Sequence, residues 1–289
     1  MECESPVRLK NPQFRDHPVL NRFIDVPCGK CPACLQNHRK MWFFRLKVES
    51  DHCVCSFCVT LTYNDNDLPD YVDYNGEFQY HPIKYEDVQK FNKRLRKQVG
   101  KFRFFCVCEY GSQLCRPHYH ICYFFDRIVD KFDFDNAVFA CWFPDTRITI
   151  DQTNDRACNY ILKYCLSLIE PDLPSCFRPS IKCSTKPFIG HGLLDNAEFL
   201  NYLHVKRSDI SHYLGYNQRL PRIFRDKVFS EDEKRFIQKE LGRVILDRGR
   251  EKSEKLRAYQ DKYGVSPFTW EREQFNSYIK KCSKLKSLK

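Results

Sequence analysis

Two imidazoles stand one residue apart in Arg116-Pro117-His118-Tyr119-His120-Ile121-Cys122-Tyr123-Phe124, inside an apolar, β-prone run. Side chains at i and i+2 of a strand share a face, so His118 and His120 can aim at one point above a sheet while Tyr119 and Ile121 pack on the other side. Neutral imidazole nitrogens on a rigid strand suit a divalent metal and leave positions open for carboxylate, water or a phosphate oxygen. The same spacing also suits two ordinary half-buried histidines. Upstream, Phe102-Arg103-Phe104-Phe105-Cys106-Val107-Cys108-Glu109-Tyr110-Gly111 reads as a strand, and the turn-prone Gly111-Ser112-Gln113 leads on into the histidine strand, making the two a hairpin. Glu109 then lies near the level of the two histidines, where a carboxylate would complete a site of two imidazoles and one acid.

A second stretch with chemical potential is Cys158-Asn159-Tyr160-Ile161-Leu162-Lys163-Tyr164-Cys165-Leu166, free of Gly and Pro and preceded by a helix start at Asp151-Gln152-Thr153-Asn154-Asp155. Residues four apart on a helix are neighbours, so Tyr160 and Tyr164 would stand one above the other with Lys163 beside them. This suits attack of a tyrosine oxygen on a phosphodiester, with a lysine and a metal ion stabilising charge on the transferring phosphoryl group. An unperturbed phenol, with a pKa near ~10, needs such help at neutral pH. An amphipathic helix with two core tyrosines would read the same way.

Taken in order, several motifs resemble the HUH endonucleases, and within them the replication-associated proteins of gokushoviruses, small single-stranded DNA phages. They are Val26-Pro27-Cys28-Gly29-Lys30-Cys31-Pro32-Ala33-Cys34, Val59-Thr60-Leu61-Thr62-Tyr63, Arg103-Phe104-Phe105 with Glu109-Tyr110-Gly111, Arg116-Pro117-His118-Tyr119-His120 and Tyr160-Ile161-Leu162-Lys163-Tyr164. Weaker matches follow at Pro187-Phe188-Ile189-Gly190 and Arg219-Leu220-Pro221-Arg222, so the likeness covers most of residues 26 to 227. Lys163 stands where arginine is also frequent, and the chain carries many additional cysteines.

The resemblance implies a nickase that starts rolling-circle replication. His118, His120 and Glu109 would hold Mg²⁺ or Mn²⁺, and Tyr160 and Tyr164 would be the nucleophiles, with Lys163 a phosphate clamp or an acid for the leaving oxygen. Attack would leave a 5′-phosphotyrosine link and a free 3′ hydroxyl, and the reverse transfer would rejoin strands. Implied partners are single-stranded DNA at a replication origin, a host helicase and a host DNA polymerase. Two other readings stay open: an HUH transposase or relaxase, and a non-enzymatic module presenting a ferredoxin-like sheet to single-stranded nucleic acid.

Composition fits this direction. With 289 residues, 42% hydrophobic and 15% aromatic, the chain can bury a substantial core, which excludes a disordered tail protein. A formal charge of +11 favours a polyanionic partner. No apolar stretch approaches the ~20 residues needed to span a bilayer, and Met1-Glu2-Cys3-Glu4-Ser5-Pro6 lacks the basic and apolar regions of a signal peptide. The expectation is no membrane partner and a location in the cytoplasm of the host bacterium.

Seventeen cysteines in a chain without a secretion signal are expected to be mostly reduced, many of them packing as small hydrophobes. Cys28, Cys31 and Cys34 differ, because three thiols at these intervals ahead of the amphipathic Leu35 to Glu49 segment suit a structural zinc. His38, one helical turn beyond Cys34, is the candidate fourth ligand. A cysteine-rich helix entry that binds nothing is the plainer alternative.

The elements that must position these groups give an α+β fold: an antiparallel sheet flanked by helices, resembling the ferredoxin-like palm of HUH endonucleases, with a Cys-rich N-terminal extension and a helical C-terminal extension. The expected segments are 1–50 (Cys-rich entry and helix), 51–170 (the HUH core), 171–230 (a basic, loop-rich extension) and 231–289 (a helical, basic extension). Within the core the pattern predicts a strand over 55–63, an acidic loop over 64–79, a helix over 84–99, the hairpin of 102–125, a helix near 133–141, a strand over 147–150 and then the tyrosine helix. That helix should lie on the sheet face that carries the histidines. A charged, solvated helix is expected over 231–263, and the lysine-rich end from Lys280 could touch DNA backbone.

Overall fold

The structure, a computed structural model, describes residues 3, 5–10, 23–70, 72–74, 78–111, 116–153, 158, 161, 162, 179–215 and 217–264. The chain divides into two compact units, Met1–Asn196 and Ala197–Lys289.

The first unit is built on a five-stranded antiparallel sheet flanked by helices. Its strands are β3 (Cys55–Leu61), β6 (Arg103–Tyr110), β7 (Pro117–Phe125), β8 (Ile148–Gln152) and β9 (Ser180–Cys183), in the spatial order β8-β3-β7-β6-β9. The remaining elements of this unit are the hairpin β1 (Val7–Lys10) and β2 (Phe23–Val26), helix α1 (Pro32–His52), the small hairpin β4 (Val72–Tyr74) and β5 (Phe78–Tyr80), and the helices α2 (Tyr85–Val99) and α3 (Lys131–Cys141). A 3-10 turn, His191–Asp195, closes it.

Strands β6 and β7 are almost wholly buried along their length, as their near-continuous apolar sequences require of strands covered on both faces. One face carries Phe104, Cys106 and Cys108 of β6 with Tyr119, Ile121, Tyr123 and Phe125 of β7, packed against α2 and α3. α2 supplies Val88, Phe91, Leu95 and Val99, a stripe at helical spacing. α3 starts at Asp130, whose side chain accepts from Phe132 N and Asp133 N, and contributes Phe134, Ala137 and Val138. The opposite face carries Phe105, Val107, Cys122 and Phe124, and is covered by Trp42 and Leu46 of α1 together with Cys158, Ile161, Leu162 and Ile189.

α1 is fastened to that face by charge as well as by apolar contact. The carboxylate of Glu49, 1% exposed, accepts from Arg103 Nε through one oxygen and from Gly190 N (2.5 Å) through the other. Arg103 completes the network with two bonds to Asp126, at 2.5 and 2.6 Å. One turn earlier, Arg45 donates to Ile189 O (3.1 Å) and lies 4.0 Å over the Trp42 ring. The Pro187-Phe188-Ile189-Gly190 motif thus acts as the partner of α1, with Gly190 in the left-handed region (φ 88°) where a side chain would be strained.

Several elements depart from the sequence reading. Asp151 and Gln152, expected to start a helix, extend β8, because they pair with Cys58 and Phe57 of β3. The expected acidic loop holds the β4–β5 hairpin, and the expected loop-rich extension contains β9, which pairs with Phe105 to Cys108 of β6.

The second unit comprises α4 (Ala197–Lys206), the two-residue strands β10 (Ile210–Ser211) and β11 (Gln218–Arg219), α5 (Arg222–Val228) and α6 (Glu231–Tyr263). The Arg219-Leu220-Pro221-Arg222 motif organises its turn. Arg219 Nε donates to the buried Asp209 carboxylate (2.6 Å), Leu220 is buried, and Pro221 precedes α5. α6 begins with a capping box between Ser230 and Glu233, and Glu233 also bonds His204 (2.8 Å).

Removing one partner from a buried ion pair leaves an uncompensated charge, at a cost of about 3–5 kcal/mol. Glu49→Ala is expected to destabilise the first unit by that amount in urea unfolding followed by Trp42 fluorescence. Arg8→Ala, which removes a pair with Asp25 whose arginine side chain is 70% exposed, should leave the transition nearly in place. Equal effects would remove the Glu49 network from its central place.

Candidate active site

The antiparallel register of β6 on β7 sets Glu109 opposite His118 and Val107 opposite His120. Alternation then puts Glu109, His118 and His120 on one face, the face covered by α1. Glu109 Oε1 lies 2.9 Å from His120 Nε2, and both residues are buried. The ring of His118 stands parallel to that of His120, with centroids 6.5 Å apart and an interplanar angle of 12°. Glu109 and His120 are therefore in direct contact, and His118 is one ring removed.

His120 is oriented from behind. Its Nδ1 is 3.0 Å from Thr60 Oγ1, a residue of β3 directly opposite it in register. A hydroxyl both donates and accepts, so Thr60 can donate to Nδ1 while Nε2–H donates to Glu109, or accept from Nδ1–H when the Nε2 lone pair faces a cation. Thr60 reaches this face because Val59 and Leu61 are committed to the opposite core. Tyr63 also serves the opposite face: its hydroxyl donates to Asp87 (2.9 Å) and lies 3.0 Å from the Tyr119 hydroxyl.

His118 owes its place to Gly111. A Cβ on Gly111 would fall well inside contact distance of His118 Nε2, so the imidazole rests against bare backbone. Burial, aided by the neighbouring His120 and Arg116, holds the His118 pKa down at about 4, which keeps the ring neutral and its lone pair available near pH 7. Arg116 in turn pairs with Asp65.

Tyr160, Lys163 and Tyr164 lie outside the described residues. Of their segment, 154–178, the described residues are Cys158, Ile161 and Leu162, which are helical and buried in the cluster formed by Val107, Cys122 and Phe124. That cluster occupies the same sheet face as Glu109, His118 and His120.

A second group of donors sits at the N-terminus of α1. The sulfurs of Cys3, Cys28, Cys31 and Cys34 all lie within 4.8 Å of one another. Cys28, Cys31 and Cys34 were expected to cluster and do; the fourth sulfur of the group is Cys3, and His38, the expected fourth member, is not in it. Its Nε2 accepts from Trp42 Nε1 (3.2 Å) on the same helix, turned to the packed face of α1. Cys3 has no local spacing signal, since 25 residues of chain separate it from Cys28.

The family model for the replication-associated protein ORF2 group matches residues 56–168. Over these residues the chain is similar to that family. The matched segment runs from β3 through the tyrosine segment and contains Thr60, Glu109, His118 and His120. The chain is 34% identical over 105 residues to the replication-associated protein ORF2 of Spiroplasma virus 4, a match covering 34% of this chain and 31% of that protein. It is 24% identical over 241 residues to the replication-associated protein ORF4 of Chlamydia phage 1, covering 75% of this chain and 57% of that protein. The chain thus spans from 31% to 57% of the length of these relatives. Among solved structures, the hypothetical protein ORF119 of Sulfolobus islandicus rod-shaped virus 1 aligns with 94% of its own length and 45% of this chain, at 17% identity and a TM-score of 0.30. No helix among the described residues is long and apolar enough to cross a membrane.

Partners behind a metal-binding histidine typically contribute about 10–100-fold in affinity. Thr60→Val, similar in volume but without the hydroxyl, is expected to weaken Mn²⁺ binding at least about tenfold in isothermal titration calorimetry while leaving the unfolding transition nearly in place. Unchanged affinity would show that Thr60 does not orient the His120 ring for an ion.

Proposed function

We propose that this protein is a replication initiator that nicks DNA by tyrosine attack on a phosphodiester. The observation that carries the reading is the shared face: Glu109, His118 and His120 stand on the side of the sheet against which Cys158, Ile161 and Leu162 are buried, all within the family-matched segment. In sequence, Ile161 and Leu162 lie between Tyr160 and Lys163, the residues proposed for the chemistry.

The donor set is two imidazoles and a carboxylate, which suits a divalent ion, Mg²⁺ or Mn²⁺ by the resemblance to HUH endonucleases, and His118 and His120 with Glu109 are the residues that would hold it. Such an ion would stabilise negative charge on the scissile phosphate. The chain's own residues do the rest. A phenol oxygen of Tyr160 or Tyr164 gives up its proton and forms a bond to phosphorus, the bond to the 3′ oxygen breaks, and that oxygen leaves protonated as a free 3′ hydroxyl. Lys163 serves this step as a phosphate clamp or as the acid for the leaving oxygen. The protein keeps the 5′ phosphate. The second tyrosine can attack a regenerated origin after one circuit while the released 3′ hydroxyl resolves the first linkage, which makes the enzyme a strand transferase as well as a nuclease.

The formal charge of +11 fits a single-stranded DNA substrate at an origin. A host polymerase would extend the 3′ hydroxyl and a host helicase would open the duplex ahead, within the host cell.

The test uses a labelled single-strand library with Mn²⁺. Wild type is expected to form a covalent adduct at one position in a strand, and EDTA should abolish it. Tyr160→Phe combined with Tyr164→Phe should reduce the adduct to background while DNA binding stays within about twofold, since only two hydroxyls are removed. An adduct of undiminished yield at the same position in the double variant would remove both tyrosines from the reaction and leave a DNA-binding protein.

A further inference from the structure

We propose that Cys3, Cys28, Cys31 and Cys34 together bind one zinc ion, which fastens the N-terminal hairpin β1–β2 to the start of α1. Four thiolates around Zn²⁺ at about 2.3 Å place neighbouring sulfurs about 3.8 Å apart at the corners of a tetrahedron. The sulfurs of Cys31 and Cys3 are 3.8 Å apart, and those of Cys28 and Cys34 are 4.0 Å apart. A disulfide would need about 2.05 Å. All four are free thiols.

The surrounding backbone is arranged for negative sulfur. Lys30 N and Cys31 N both point at Cys28 Sγ, at 3.4 and 3.2 Å, and Cys28 N points at Cys3 Sγ at 3.2 Å. Gly29 lets the chain turn back on itself, with φ 74°. Cys31 occupies the N-cap of α1, yet its side chain caps nothing, and the first turn carries no acidic residue. The positive end of a 21-residue helix is therefore left facing the sulfurs.

The fold supplies a reason for the ion. Among the described residues β1 and β2 pair only with each other, and Val7, Leu9 and Phe23 are 46%, 47% and 51% exposed. A two-stranded hairpin without an apolar layer is marginal in water. Its open end, where Val7 pairs with Val26, is flanked by Cys3 on one side and Cys28 on the other. One ion bound by both, and by Cys31 and Cys34 of the helix start, would close that end and fix it to α1. These donors are soft and lie outside residues 56–168, so this site is separate from the one proposed for nicking.

The test is metal analysis of the full chain, purified anaerobically without chelator, with differential alkylation. About one zinc per chain is expected. Iodoacetamide should label Cys53 and Cys55 with or without chelator, and Cys3, Cys28, Cys31 and Cys34 only after chelator is added. Trypsin should cut after Lys30 in the zinc-free protein and spare it in the zinc-bound one. Cys3→Ser should lose most of the zinc, whereas His38→Ala should keep it. Absence of zinc, iron in its place, disulfides among the four cysteines, or alkylation of Cys3 at the same rate with and without chelator would each overturn the proposal, the last of these in wild type even where the Cys3→Ser protein does not fold.

Discussion

The register of β6 on β7 is the constraint on which the rest of the structure depends. It sets Glu109 across from His118 and gives His120 the same face. A slip of one residue would send the carboxylate to the α2 side while the imidazoles stayed on the α1 side. The register is held from both directions, by the aromatic layer under α2 and α3 and by the Arg103–Glu49 network at the far end of β6. Pairing on both edges, with β3 outside β7 and β9 outside β6, leaves neither central strand free to move along its neighbour.

That face is graded along the strands. At one end the buried Arg103 and Glu49 pair with each other, and the exposed Asp126 accepts two further bonds from the guanidinium. In the middle Phe105, Val107, Cys122 and Phe124 meet Trp42, Ile161 and Leu162 in an apolar layer. At the other end Thr60, His120 and Glu109 form a polar chain beside His118. Burying such groups is costly unless each has a partner, and here they partner one another. The arrangement keeps two imidazoles and a carboxylate preorganised on a rigid support, which loops could not do as well.

Much of this was legible in the sequence, for identifiable reasons. The i, i+2 histidines, the hairpin and the level of Glu109 follow from strand alternation, and the helical stripes of α2 and the charged pattern of α6 follow from their periodicity. What escaped depends on contacts between distant segments. β9 and the extension of β8 through Asp151 and Gln152 exist because neighbouring strands offered free edges, and no local propensity announces that. Thr60 could be seen as part of a motif but not as the partner of His120, because the two are 60 residues apart. His38 was a reasonable fourth ligand by spacing, yet the same spacing places it against Trp42, and the fourth sulfur of the cluster arrives from the far side of a hairpin. The face bearing Cys158, Ile161 and Leu162 was expected from the resemblance, and their burial agrees with it, while Tyr160, Lys163 and Tyr164 lie outside the described residues.

The central claim is that two strand histidines and one carboxylate form a single site for a hard divalent ion. Pulsed electron paramagnetic resonance of Mn²⁺ bound to protein carrying nitrogen-15 histidine reads this directly. The account predicts hyperfine coupling to two histidine nitrogens, reduced to one by His118→Ala or by His120→Ala and unaffected by changes at Cys28. Bound Mn²⁺ with no histidine coupling, or coupling that survives the loss of both His118 and His120, would contradict it.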